Sequence, residues 1–198
     1  MRNSSPKVFN RAKLSNVGFL EASREDAHFT CFIFHDVDLI PLHSNIQLNC
    51  SHHGPMHLAL AIDRFNYRMP YTTYFGGITS FTPSQFLAIN GFSNKYWGWG
   101  GEDDEAYLRT KLANLKVQRP RLPNVTRYVM LPHHRGRWNM PATGDKRMPM
   151  LLQTRFTWKK DGLNSANYRL LNTTYTPLYT RFLVDLLPDA SSEIALPL

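Results

Sequence analysis

Only two cysteines, Cys31 and Cys50, occur in 198 residues. That is too few for a disulfide-stapled scaffold, and a free buried pair reads as well as a bridge. No stretch approaches the roughly 18–20 apolar residues that cross a bilayer, and the N-terminus lacks the apolar core of a signal peptide. Taken literally, the chain has no visible route into the secretory pathway. Internal repeats and low-complexity linkers are also missing, so the length fits one domain large enough for a genuine core. Lys and Arg outnumber Asp and Glu by 23 to 15, a formal charge of +8. No dense basic run or nucleic-acid motif gathers that surplus, which argues against nucleic-acid binding. A weakly basic surface equally suits an anionic nucleotide sugar or an anionic membrane. Aromatics make up 13% of the chain, which excludes a disordered reading.

What is present is concentrated in short segments. The apolar Cys31-Phe32-Ile33-Phe34 reads as a buried strand, and it runs into His35-Asp36-Val37-Asp38-Leu39-Ile40-Pro41-Leu42. Asp36 and Asp38 are two apart, so an extended backbone would put them on one face at the carboxyl end of the strand. Hard oxygen donors there suit Mg²⁺ or Mn²⁺ carrying a phosphate. A D-x-D alone equally describes an exposed turn.

Further on come Tyr74-Phe75-Gly76-Gly77 and the run Asn90-Gly91-Phe92-Ser93-Asn94-Lys95-Tyr96-Trp97-Gly98-Trp99-Gly100-Gly101-Glu102-Asp103-Asp104-Glu105. Gly is entropically expensive to order and adjacent carboxylates repel, so a merely structural loop has little reason to combine them. A helix with an acidic first turn explains part of the run, and Leu108, Leu112 and Leu115 recur beyond it at helical spacing. The two Trp are left over. An indole platform beside carboxylates suits a sugar, whose C–H face packs on the ring while its hydroxyls bond to the acids.

The remaining chain predicts alternating elements. A helix is expected from 7–14 toward Glu21, a strand over 29–35, a loop over 41–54 and a short buried strand over Leu58–Ile62. Thr82-Pro83 caps a helix over 84–90, the acidic helix spans 102–114, and 134–149 reads as a mobile loop. Tyr179–Leu186 alternates as a strand, with a frayed tail over 188–198. The alternation implies an α/β fold with a mostly parallel sheet.

The D-V-D-L-I-P, Y-F-G-G, N-G-F-x-N-x-Y-W-G-W-G-G-E-D-D and D-G-L-N-S segments, the last at Asp161-Gly162-Leu163-Asn164-Ser165, resemble the β-1,4-galactosyltransferases over residues 8 to 186. The resemblance implies the GT-A nucleotide-sugar transferase fold, with 1–187 as one catalytic domain. The family's Pro-Phe-Arg-x-Arg uridine-binding segment has no counterpart after Met1, so an N-terminally incomplete domain is expected. It further implies a Golgi-lumenal, type II membrane protein whose anchor this chain does not show. The matching cysteine pair of the family is bonded, which favours a Cys31–Cys50 disulfide. Sequons at Asn3, Asn49, Asn124 and Asn172 are candidate N-glycosylation sites.

Chemistry alone makes Asp38 the first metal ligand and His133 a reasonable second, though a lone His is more often structural. It makes the soft thioether of Met130 a core residue. The family resemblance instead implies Mn²⁺ held by Asp38, Met130 and His133, with M-x-x-H matched by Met130-Leu131-Pro132-His133. By the same resemblance Asp103 is the general base, Glu102 positions the donor sugar, and Asp104 holds an acceptor hydroxyl. Phe9, Arg11, Asp36 and Val37 fall around the nucleotide, while Trp99 closes over the sugars beside Gly101. Phe65, Tyr71 and Tyr74 line the sugar pocket. Arg147, Met148 and Leu151 match the pocket for an acceptor N-acetyl group, with Met148 replacing an aromatic; Trp138 and Gly144 also depart from the family. The implied reaction is inverting transfer of galactose from UDP-galactose in β-1,4 linkage to terminal N-acetylglucosamine of glycoproteins or glycolipids. Two alternatives stand beside it: UDP-N-acetylgalactosamine as donor, and a non-catalytic sugar-binding fragment without a full UDP pocket.

Overall fold

The computed structural model describes residues 2–3, 8–120, 126–133 and 147–187. The side chains of Arg2 and Asn3 lie outside that description, as do Asn124, Trp138, Gly144 and the tail after Leu187. Nine strands and four α-helices are described: β1 (Arg2–Asn3), α1 (Arg11–Glu25), β2 (Phe32–His35), β3 (Leu39–Pro41), β4 (Met56–His57), β5 (Ala61–Ile62), β6 (Ile78–Phe81), α2 (Pro83–Ala88), α3 (Glu102–Leu112), β7 (Arg127–Met130), α4 (Arg147–Thr157), β8 (Tyr168–Tyr175) and β9 (Thr180–Leu186). They form three three-stranded sheets ordered β2-β6-β4, β3-β7-β5 and β1-β9-β8.

The α/β class holds, but the expected predominance of parallel pairing does not. Among the described strand pairs only β1–β9 and β5–β7 are parallel, whereas β2–β6, β4–β6, β3–β7 and β8–β9 are antiparallel. Parallel neighbours need a crossover, usually helical. Between β2 and β6 the chain supplies only short strands, loops and one 3-10 turn, so it returns antiparallel.

Local chemistry sets the element ends. Asn10 caps α1 by accepting from the Lys13 N–H, so the helix begins at Arg11 rather than at residue 7. Thr82 and Gln85 form a capping box with Pro83 in the first turn of α2. Of the segment Leu58–Ile62, only Ala61–Ile62 pairs as a strand. Arg147–Pro149, expected in a loop, begins α4; a Pro in the first turn removes no needed N–H. Aromatic packing of Phe19, Phe34, Phe81, Phe86 and Phe92 locks α1 and α2 onto β2 and β6. A second core around Leu39, Leu58, Ile62, Ile78 and Tyr128 joins that sheet to β3-β7-β5. No helix among the described residues is long and apolar enough to cross a membrane.

Candidate active site

Cys31 and Cys50 are disulfide-bonded, 5.5 Å apart at Cα, and so bracket β2, the D-x-D segment and β3. The D-x-D segment is a turn and not an extended strand end: the Leu39 N–H donates to the Asp36 carbonyl at 3.2 Å. The turn sends the two carboxylates to different neighbours. Asp36 accepts from Arg11 Nε at 2.8 Å and lies 2.6 Å from its Nη2. Val37 at the tip is 97% exposed. Asp38 faces the end of β7, where its Oδ2 is 2.9 Å from His133 Nε2.

Arg11 opens α1, where the helix dipole disfavours a cation and Asp36 compensates. Burial works against its charge, yet Asp36, Glu102 and Asp103 together raise its pKa. Glu102 is buried at the start of α3, 3.9 Å from Arg11, and its Oε2 has no hydrogen-bond partner. Burial raises its pKa, with Arg11 opposing.

The next carboxylate is poised differently. Burial, reinforced by Glu102 and Asp104, pushes Asp103 up to about 7. Its Oδ2 sits where a side chain on Gly76 would go: a Cβ there would lie 2.6 Å from Oδ2 and 2.9 Å from the Tyr74 hydroxyl. Gly76 is therefore required by close approach rather than by an unusual backbone angle. Tyr74 packs edge-on to Tyr71, Phe65 and His57, and the Tyr71 hydroxyl donates to Asp104 Oδ1 at 2.8 Å. The result is an aromatic wall facing two carboxylates, a surface suited to a sugar ring and its hydroxyls.

At the end of β7, Met130 pairs with Leu39, and the Leu131 N–H donates to the Asp38 carbonyl at 2.7 Å. Register thus gathers Asp38, Met130 and His133, although Met130 Sδ lies 3.6 Å from the Arg64 guanidinium. No group of three or more His, Cys, Asp or Glu forms a metal cluster among the described residues.

The Trp/Gly loop is fixed from below. Asn94 receives an amide hydrogen from Asn16, donates to Gly162, and its N–H bonds Asp161. Arg109, fully buried, holds Glu105 through two nitrogens and reaches Asp161 at 3.4 Å. The D-G-L-N-S segment is thus the floor of this loop. Above it, Trp99 is exposed, and the Gly98 N–H donates to the Phe9 carbonyl at 2.6 Å. Arg147 packs on the glycines: a Cβ on Gly100 would lie 3.0 Å from its Nη1, and one on Gly101 3.4 Å from its Cδ. Met148 is 64% exposed and Leu151 half-buried on α4.

Four supporting residues escaped the sequence reading. Asp63 accepts the Met130 N–H at 2.9 Å and so steadies the β7 end. Arg119 holds the Thr72 and Tyr74 carbonyls. His57 donates from Nε2 to the Gly76 carbonyl at 3.0 Å, and burial lowers its pKa to about 4. Arg109 did carry a signal, its position four residues after Glu105.

Residues 1–51 match the family described as the N-terminal region of glycosyl transferase group 7, and residues 56–134 the one described as the N-terminal domain of galactosyltransferase. Beta-1,4-galactosyltransferase 2 of Homo sapiens is 46% identical over 179 residues, covering 90% of this chain and 47% of the relative. Beta-1,4-galactosyltransferase 4 of Mus musculus is 46% identical over 185 residues, covering 93% and 52%. The chain therefore spans about half the length of these curated relatives. The catalytic domain of Drosophila beta-1,4-galactosyltransferase 7 with xylobiose matches at a TM-score of 0.76 and 31% identity, over 94% of this chain and 79% of that one. A mutant of the same fly enzyme, in complex with manganese, UDP-Gal and xylobiose, matches at 0.75 and 33%, with the same coverage.

Proposed function

This chain belongs to the β-1,4-galactosyltransferase family, and on that footing we propose that it transfers galactose from UDP-galactose, with inversion, to terminal N-acetylglucosamine of glycoproteins or glycolipids. The observation that carries the reading is Asp103: a carboxylate with a pKa of about 7, set against Gly76 and Tyr74 and beside the hydroxyl-binding pair Asp104–Tyr71. Asp103 accepts the proton of the acceptor hydroxyl, and Asp104 with Tyr71 holds a neighbouring hydroxyl. Glu102, whose Oε2 is unpartnered, supplies an acceptor for a donor-sugar hydroxyl. Arg11 and Asp36 steady the nucleotide side, with Phe9 and Val37 nearby in sequence. Trp99, on its glycine hinge, covers the sugars and excludes water.

Asp38, His133 and Met130 fit Mn²⁺: a carboxylate oxygen and an imidazole nitrogen converge 2.9 Å apart, with the thioether on the adjoining strand end. A bound cation there supplies neutralisation of the leaving diphosphate. Tyr74 fills the space an N-acetyl group on the donor would need, which favours galactose. Arg147, Met148 and Leu151 receive the acceptor's N-acetyl group. The disulfide fits folding in an oxidising lumen, in keeping with a Golgi enzyme.

The test is incubation of the protein with UDP-galactose, Mn²⁺ and either an N-acetylglucosaminide or a xyloside, with the product linkage read by NMR. A β-1,4 product on the N-acetylglucosaminide alone is expected. Faster turnover of the xyloside would overturn the acceptor assignment. Tyr74→Leu should raise use of UDP-N-acetylgalactosamine, and equal rates in both proteins would remove the steric argument. Calorimetry showing neither UDP nor Mn²⁺ bound would leave a sugar-binding module.

A further inference from the structure

Among the described residues β8 is the edge of its sheet, hydrogen-bonded to β9 on one side in the order β1-β9-β8. It is the longest described strand, and its own defences are one charge and one bulge near its start. Arg169 is the only charge between Tyr168 and Tyr175, and the strand contains no proline. Leu170 and Leu171 are more than two-fifths exposed, Tyr175 is 65% exposed, and Leu178 in the following turn is 92% exposed. A bulge between Leu170 and Asn172 shifts the register there, so that Leu170 pairs with Val184 and Asn172 with Leu183. Long edges carrying exposed apolar side chains recruit other strands unless something blunts them.

The middle of this edge carries the triplet Asn172-Thr173-Thr174. Asn172 is exposed, and its Nδ2 lies 3.4 Å from Thr174 Oγ1, the hydroxyl on which recognition of such a triplet depends. We propose that Asn172 carries an N-linked oligosaccharide that shields the β8 edge. The Asn172 amide nitrogen attacks the anomeric carbon of an N-acetylglucosamine carried on a lipid diphosphate. One amide proton is lost, a C–N bond forms, the anomeric C–O bond breaks, and the lipid diphosphate leaves. The Cys31–Cys50 bond marks an oxidising compartment, where that donor class is found.

Asn49 is the contrasting triplet. It is exposed too, but its middle residue is Cys50, so disulfide closure competes for the same segment. The Asn49 carbonyl then accepts from Ser80 and the Ser51 carbonyl from Gln85, pinning the backbone on both sides of the cysteine. Asn172 meets neither competitor.

The full chain should be expressed as a secreted protein in a eukaryotic cell, and its mass read before and after peptide-N-glycosidase treatment. Asn172→Gln and Thr174→Ala should each lose one glycan's mass, while Thr174→Ser keeps it. Secreted Asn172→Gln should self-associate in sedimentation at unchanged galactosyl transfer per monomer, and adding Leu170→Lys and Leu171→Lys should restore the monomer. Recovery of the Asn172 peptide unmodified from secreted wild-type protein would overturn the assignment. A glycosylated wild type and a Asn172→Gln variant that are equally monomeric would overturn the shielding role. Glycan mass and transfer rate are separate readouts, so this inference fails independently of the proposed activity.

Discussion

The first turn of α3 carries two sets of carboxylates that the protein compensates to different degrees. Glu105 is directly paired: the buried guanidinium of Arg109 binds it through two nitrogens and also faces Asp161, and this opposes the rise in its pKa that burial causes. Glu102 and Asp103 are not. Arg11, the cation that opposes the rise in both pKa values, is engaged by Asp36 and stands 3.9 Å from Glu102, and Glu102 Oε2 has no partner. All four acids of the first turn gain from the helix dipole, so the dipole cannot explain the difference. Placement does. Glu105 points into the floor of the Trp/Gly loop, whereas Glu102 faces Arg11 and Asp103 faces Gly76 and Tyr74. Carboxylates buried and left partly uncompensated bind protons more tightly, which is what a base working near neutrality requires.

The sharpest way to break this contrast is Asp103→Asn. Removal of a general base should lower turnover by about 10²–10⁴-fold. Folding should not suffer. The folded pKa of about 7 lies above the unfolded value near 3.8, so ionisation costs stability as pH rises through that interval. The Asn variant escapes this loss and should be at least as stable as the parent at pH 8. In the parent, kcat/KM should fall about tenfold per pH unit below 7, where Asp103 is protonated. Stopped assays and denaturant melts across pH 5–9 check both statements. A large stability loss in Asp103→Asn would show that this acid belongs to the structural set.

The complementary change is Arg109→Met. It strands Glu105 and Asp161 in the interior, and breaking a buried pair by removing one partner costs about 3–5 kcal/mol. Chemical denaturation should show that loss, and adding Glu105→Leu should recover part of it because one uncompensated charge goes with it. Residual transfer by whatever protein stays folded should have a normal kcat. A kcat deficit in the folded fraction would mean that the lock and the reacting site are one device.

These two regions also differ in how readable they were. The W-G-W-G-G-E-D-D run announces its chemistry because costly residue types are packed into adjacent positions. The aromatic wall of Tyr71 and Tyr74 was legible only through the family resemblance, since neither tyrosine carries a local signal of its own. Asp36 and Asp38 were found, but not their divergence: a period of two assumes an extended chain, and Val37 instead tops a turn. The strand β8 was missed because its exposed residues alternate weakly, and α4 because Pro149 resembles a break when it is a first-turn residue. Asp161 was visible only as part of a motif, since its work is done across 52 residues against Arg109. His57 had no local signal at all. Its partner is a backbone carbonyl brought near by the pairing of β4 with β6.

That hydrogen bond provides the smallest and most diagnostic measurement. His57 stays neutral in the fold down to about pH 4, while the unfolded chain protonates near 6.5. A depressed pKa contributes stability above 6.5 that is lost as pH falls toward 4. Between pH 7 and 5 the loss is about 2 kcal/mol. Asp103 titrates across the same range with the opposite sign and masks it in the parent. In the Asp103→Asn background, urea midpoints should therefore drop on acidification by an amount the parent does not show. Adding His57→Gln, which keeps an N–H for the Gly76 carbonyl but cannot protonate, should flatten the profile again. A drop that persists in the double variant would locate the acid sensitivity elsewhere and leave His57 as packing. A flat profile in it ties the carbonyl beneath Asp103 to a histidine that the fold keeps uncharged.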